Sequence, residues 1–157
     1  MEPYDCDHDD LNNAILCVWK EARGDGYAAM NAVAHVIFNR IVTQGFASTL
    51  HEVNYGKNQF SSMSISSDPE YNLAAPSVTD REHASYLAAT NIVNAVAAGT
   101  DSDPTNGALY YANLKESTSG WFFRQVVNDP VNHPLRATVG SRCFTRKREV
   151  VYAHFSR

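Results

Sequence analysis

The residues best equipped for chemistry are Lys20-Glu21-Ala22-Arg23-Gly24-Asp25, where one carboxylate ends an apolar periodic run and meets a glycine turn. Leu11, Ala14, Ile15, Val18, Trp19 and Ala22 recur at spacings of three and four, the pattern of one apolar helix face. Glu21 falls three residues after Val18, four after Cys17 and seven after Ala14, so it projects along that face, away from Asn12, Asn13 and Lys20. Partial burial is expected. Gly24 and Gly26 supply the backbone freedom to end this helix and begin another at Tyr27. Burial and the carbonyls of the last helical turn would both disfavour an ionised Glu21. A carboxyl kept protonated near neutral pH is what a general acid requires, and glycoside cleavage is the reaction class that most often uses one. The same six residues also fit a plainer arrangement, a salt bridge from Arg23 or Lys20 that trims a helix end.

Three other local features could serve such chemistry. Gln59-Phe60-Ser61 sits in a stretch rich in Ser, Asn, Asp and Pro; Asn106-Gly107-Ala108-Leu109-Tyr110-Tyr111-Ala112-Asn113 joins a turn to paired tyrosines; Trp121-Phe122-Phe123 follows. Aromatic rings stack on sugar faces while amides and hydroxyls bond ring hydroxyls, so the inventory suits a saccharide groove. Tyrosines on a strand and the Trp121 cluster fit a core equally well. Metal chemistry has little to build on. His8, His35, His51, His83, His133 and His154 are scattered without an HExxH pair, and Cys6, Asp7 and His8 make at most a weak chelate. No metal and no cofactor are expected.

The elements that must hold these residues follow from periodicity and punctuation. A second helix is expected over 27–43, burying Ala29, Ala32, Val33, Val36, Ile37, Phe38 and Ile41, with Gly45 as its stop. Thr49 with Glu52 reads as the cap of a short helix ending near Gly56, and Thr79 with Glu82 as the cap of a core helix that stops at Gly99. Between them, 57–76 reads as a long loop, a length that in compact domains often lines a cleft. Ala108 to Ala112, Ala137 to Val139 and Glu149 to Ala153 have strand composition. Helices first and a small sheet after them give one α+β domain over 1–157, with 1–10 as an acidic tail.

A chain of 157 residues can bury a core without staples, and 44% hydrophobic with 19% charged residues is ordinary for a globular protein. No apolar run approaches the ~20 residues of a membrane-spanning helix, so no membrane insertion is expected. Three cysteines without a CxxC spacing indicate neither a disulfide framework nor a zinc ribbon, and Cys17 reads as a core thiol. The acidic N-terminus is unlike a secretory signal, which points to synthesis in the cytoplasm. The net charge of −4 is uneven: from residue 114 onward eight basic side chains face three acidic ones, a net of +5 that leaves −9 on the rest. A basic face can steer a protein to an anionic polymer. No helix-turn-helix, RNP-like or zinc-finger pattern accompanies it, so nucleic acid is not expected as a partner.

Taken in order, Glu21-Ala22-Arg23-Gly24-Asp25, the Ala32-Val33-Ala34-His35-Val36-Ile37-Phe38-Asn39-Arg40 helix, Gln59-Phe60-Ser61, Gly107-Ala108-Leu109-Tyr110-Tyr111 and Val139-Gly140 resemble the catalytic domain of bacterial cell-wall hydrolases, the family containing the spore cortex-lytic enzyme SleB. The resemblance implies a mainly helical α+β domain of lysozyme and lytic transglycosylase type with a small antiparallel sheet. It also implies one essential glutamate, matching Glu21, that cuts the β-1,4 bond between N-acetylmuramic acid and N-acetylglucosamine in peptidoglycan glycan strands. Gln59, Phe60, Ser61, Tyr110, Tyr111, Asn113 and Trp121 would then contact the sugars. Two positions depart from the family pattern: Asp25 stands where glutamate is usual, and Arg142 where a histidine commonly follows Val139-Gly140. A lytic transglycosylase needs only Glu21, whereas an ordinary muramidase would need a second carboxylate, for which Asp68, Glu70 and Asp80 are available. A metal-dependent amidase or peptidase and a non-catalytic wall-binding module are the other readings. A monomer acting as a phage or prophage endolysin, released through a holin pore, fits the absence of a signal.

Overall fold

Ten of the fifteen residues of one helix, Tyr27–Ile41, are buried, and helices and sheet pack around it. In a computed structural model describing residues 3–56, 59–113, 130–139 and 142–145, the helices are α1 (His8–Ala22), α2 (Tyr27–Ile41), α3 (Leu50–Tyr55), α4 (Ser61–Ser64) and α5 (His83–Ala97). Strands β1 (Tyr110–Asn113), β2 (Leu135–Val139) and β3 (Arg142–Thr145) form an antiparallel sheet in the order β1-β3-β2. Helix α2 is apolar nearly all round because it is covered from several directions. Val33, Ala34, Ile37 and Phe38 join the buried faces of α1, α3 and α5, while Ala32 and Val36 meet Ala108 and Phe144 on the sheet side.

The helix starts follow the sequence in part. Thr49 caps α3 as expected, accepting from the Glu52 amide at 3.2 Å and donating to its carboxylate at 3.0 Å. Asp7 caps α1, its side chain accepting from the Asp10 amide at 2.8 Å, so the acidic stretch is no simple tail: His8, Asp9 and Asp10 are the first helical turn. The Thr79–Glu82 cap does not form. Asp80 instead accepts from the Glu82 amide at 2.8 Å, an Asx turn that delays the helix to His83. The expected loop over 57–76 contains a short helix, α4. The Val139 and Tyr110 strands stand close to where composition put them; Glu149 to Ala153 lie outside the described residues.

The connection from α5 into the sheet is fixed by polar contacts to α2. Asp103 accepts from Asn39 Nδ2 at 2.9 Å, Thr105 Oγ1 at 2.6 Å, the Thr105 amide at 2.7 Å and the Gly107 amide at 2.9 Å. Asn39 also donates to the Ala108 carbonyl at 3.1 Å, and His35 lies 3.0 Å from the Asp101 carboxylate. Asn106 and Gly107 take positive φ (54° and 77°), reversing the chain so that Tyr110 and Tyr111 follow on β1.

Burial opposes ionisation of Asp103, but hydrogen bonds from Thr105, Asn39 and Gly107 outweigh it and hold its carboxyl below the ordinary range. A depressed folded-state pKa gives stability that is present above the unfolded value and lost as pH falls through the folded one. Asp103→Ala should therefore cost about 2–4 kcal/mol at neutral pH, since several donors lose their acceptor. Denaturant titrations should show the gap to wild type narrowing below about pH 4; a gap independent of pH would contradict this role.

Candidate active site

Three segments distant in sequence meet at Glu21. The residue is half-buried at the end of α1, as its spacing predicts. Ser62 Oγ on α4 donates to Glu21 Oε1 at 2.6 Å, and the Tyr111 hydroxyl on β1 donates to Oε2 at 2.8 Å. Each carboxylate oxygen is thus held by a neutral hydroxyl. Burial first, and the adjacent Glu21 carboxylate second, push the Tyr111 phenol well above its ordinary range, so it remains a donor.

The plainer salt-bridge arrangement is not what forms at this carboxylate. Arg23 pairs with Glu70 at 2.6 Å and approaches Glu82 at 3.7 Å, with its guanidinium 4.3 Å from the Trp19 ring centroid. Among the described residues no cation lies within ion-pair distance of the Glu21 carboxylate. Lys20 also departs from expectation. It is buried, and its ammonium donates to the main-chain carbonyls of Tyr71 at 2.9 Å and Ser62 at 3.3 Å. A long stem lets the side chain leave the polar side of α1 and pass beneath the segment after α4.

Arg142 is buried on β3. It pairs with the Asp25 carboxylate and donates through Nη2 to the main-chain carbonyl of Glu21 at 2.7 Å. The ion pair fastens the short 3-10 turn Arg23–Asp25 to the sheet, where Gly26 (φ 84°) then redirects the chain into α2. The Glu21 carbonyl is one of those a helix end leaves without an internal partner, and Arg142 supplies the donor.

Two cavities meet at Glu21 and Ser61. One, of about 690 Å³, is charged, lined by Lys20, Arg23, Asp25, Asp68, Glu70, Glu82 and Arg142 among others. The other, of about 900 Å³, is largely aromatic, with Phe46, Phe60, Tyr110 and Tyr111 in its wall. Arg40 organises that wall. Its buried guanidinium donates to the Leu109 carbonyl at 2.8 Å and Gln59 Oε1 at 3.1 Å, and lies 5.0, 5.6 and 6.0 Å from the Phe60, Phe46 and Tyr110 ring centroids. Gly56 allows the chain to reach Gln59: a Cβ there would lie 2.5 Å from the Glu52 carbonyl oxygen and 3.1 Å from the Gln59 side chain.

Of the residues expected to contact sugars, Gln59, Phe60, Ser61, Tyr110 and Tyr111 line the aromatic cavity. Phe60 is 2% exposed and stacks on Tyr111 at 6.4 Å, so it shapes the wall from behind. Ser61 donates to Asp68 at 2.6 Å. Asn113 ends β1, its side chain outside what is described, and Trp121 lies outside the described residues. Among the second-carboxylate candidates, Asp68 and Glu70 share the charged cavity, while Asp80 is engaged in its turn. Sequence reasoning missed Ser62, Arg40 and Lys20. Arg40 carried a signal, lying three and four residues after Ile37 and Val36 on the buried face of α2; Ser62 carried only adjacency to Ser61. Among the described residues no group of three or more His, Cys, Asp or Glu is arranged to hold a metal.

Residues 24–134 match the family model described as cell wall hydrolase, and the chain belongs to that family. Over 121 residues it is 30% identical to the spore cortex-lytic enzyme of Oceanobacillus iheyensis and 29% identical to that of Bacillus cereus. Those alignments take in 77% of this chain but 38% and 41% of the relatives, so it spans about two fifths of the curated proteins it matches. The catalytic domain of the germination-specific lytic transglycosylase SleB from Bacillus anthracis superposes with a TM-score of 0.66 at 26% identity, covering 92% of this chain and 99% of that one. The catalytic domain of Bacillus cereus SleB gives 0.63 at 26% identity, covering 92% and 95%. The mainly helical α+β fold with a small antiparallel sheet is thus shared with SleB. The family match begins at residue 24, so the place given to Glu21 rests on the geometry above.

Arg142→Ala should lower the unfolding free energy by about 2–4 kcal/mol, less than for a fully buried pair because Asp25 is partly exposed. Thermal and denaturant melts check this; a change under about 0.5 kcal/mol, the range of ordinary surface substitutions, would deny Arg142 any structural role.

Proposed function

We propose that this chain degrades peptidoglycan as a glycosidase, cutting the β-1,4 bond between N-acetylmuramic acid and N-acetylglucosamine with Glu21 as its acid and base. The observation that carries the reading is a single carboxylate at the junction of two cavities, each oxygen held by a neutral hydroxyl. Membership of the cell wall hydrolase family supports the substrate, and the likeness to a germination-specific lytic transglycosylase supports the reaction.

In this mechanism a protonated Glu21 gives its proton to the glycosidic oxygen as the muramyl C1–O bond breaks and C1 gains oxocarbenium character. The N-acetylglucosamine leaves with that proton. The Glu21 carboxylate then takes the proton of the muramyl 6-hydroxyl while O6 closes on C1, giving a 1,6-anhydro ring. One carboxyl serves both steps because the nucleophile belongs to the substrate and is already in place. Ser62 and Tyr111 hold the group between the two transfers, and the aromatic cavity offers ring faces to the sugars. Peptidoglycan strands are thus the proposed partner.

Hydrolysis through a second carboxylate is the competing reading, and Asp68 and Glu70, which face the same charged cavity, are its candidates. Asp68 is already engaged by the Ser61 hydroxyl and the Glu70 amide, and Glu70 by Arg23, which favours the single-carboxylate mechanism. Mass spectrometry of digested peptidoglycan should find anhydro-muramyl ends; reducing ends one water heavier would replace transglycosylation by hydrolysis. Glu21→Gln should lose about 10²–10⁴-fold in rate with an unchanged melting temperature. Wild-type clearance of cell walls by that variant would remove Glu21 from the chemistry.

A further inference from the structure

Lys20 is a buried cation beside the proposed acid, and the mechanism above gives it no task. It is 8% exposed at the last turn of α1, and among the described residues no carboxylate lies within ion-pair distance of its ammonium. Burial pulls its pKa below the ordinary lysine range, while Cys17 and then Glu70, Asp68 and Glu21 act in the opposite direction. An apolar residue at this position would avoid that desolvation. The contacts it does make are specific: the carbonyls of Ser62 and Tyr71, at the two ends of the segment that also supplies Asp68 and Glu70 to the cavity wall.

One of those carbonyls belongs to the residue whose hydroxyl holds Glu21. Lys20 grips the main chain of Ser62, and the Ser62 side chain grips Glu21, the neighbour of Lys20 on the same helical turn. The two adjacent residues of α1 and the one residue of α4 close a ring of contacts. We propose that Lys20 is a positioning residue for the Glu21 carboxylate, holding the Ser62 backbone where the Ser62 hydroxyl reaches Glu21 Oε1. The assignment rests on the reading of Glu21 as the acid. With only four residues, α4 has a short ladder of its own; Phe60 and Met63 anchor the segment in the core, and Lys20 adds a tether to the Ser62 carbonyl itself, with a second donor on Tyr71.

A double-mutant cycle tests this, with kcat and KM measured separately on soluble glycan fragments of peptidoglycan and thermal melts run beside them. Lys20→Met keeps the apolar stem and removes the donors. Lys20→Met and Ser62→Ala should each lower kcat about tenfold with KM within about twofold of wild type, and the double variant should be no slower than Ser62→Ala alone. Losses that multiply would show Lys20 acting independently of Ser62 and overturn the proposal. A raised KM with unchanged kcat would overturn it also, making Lys20 a substrate contact. Should Lys20→Met fail to fold, Lys20→Gln, whose amide can still donate to one carbonyl, takes its place in the cycle, and the same two outcomes would overturn the proposal. Glu21→Gln is assayed in parallel: its full activity would remove the acid assignment itself, whereas an inactive Glu21→Gln beside a fully active Lys20→Met would remove only the role of Lys20.

Discussion

A half-buried carboxylate must find hydrogen-bond donors, and at Glu21 they come from Ser62 and Tyr111, 41 and 90 residues further along the chain. That constraint ties together parts of the molecule with no local reason to meet. Helix α1 has to end where it does, α4 has to form inside what reads as a loop, and β1 has to lie against α2 in a register that turns the Tyr111 hydroxyl toward α1. Tyr111 packs against both buried clusters, so its ring is fixed by the core while its hydroxyl serves the site. Displacing any of the three segments would leave a carboxylate oxygen without its donor.

Basic side chains supply much of the stiffness without touching the carboxylate. Arg142 holds the main-chain carbonyl of Glu21 and the Asp25 carboxylate, Arg40 gathers Gln59 and three aromatic rings, and Lys20 ties down the backbone on either side of Asp68. Each donates to main-chain carbonyls that the turns and short elements leave without partners. A cation paired directly with Glu21 would favour one protonation state of a group that has to give and then take a proton. Neutral hydroxyls orient the group without placing a full positive charge beside it, and a hydroxyl oxygen can also accept when the carboxyl is protonated.

Much of the scaffold was legible in the sequence, because the long helices carry strong periodicity and their burial follows from it. The half-buried setting of Glu21 followed from spacing alone, as the cap at Thr49 followed from its partner at Glu52. The departures have a common physical origin in contacts between distant segments. Lys20 reads as solvent-facing because hydropathy treats it as a point charge, whereas its stem is long enough to reach carbonyls under a neighbouring segment. The Thr79 cap competes with an Asx turn at Asp80 that takes the same amide. Ser62 has no sequence signature, since its importance arises only where α4 meets α1. Arg142 lies 117 residues from Asp25, and their pairing exists only once β3 lies beside the turn that follows α1.

If Glu21 is the acid, a glycan strand must cross from the aromatic cavity to the charged one with its scissile bond at the end of α1. A crystal structure of the Glu21→Gln variant with a bound peptidoglycan glycan fragment would show whether it does. The glycosidic oxygen should lie within hydrogen-bond reach of the amide that replaces the Glu21 carboxylate, about 2.6–3.2 Å, with sugar rings against Tyr110 and Tyr111. A fragment bound elsewhere, or one whose scissile oxygen faces a different side chain, would contradict this assignment.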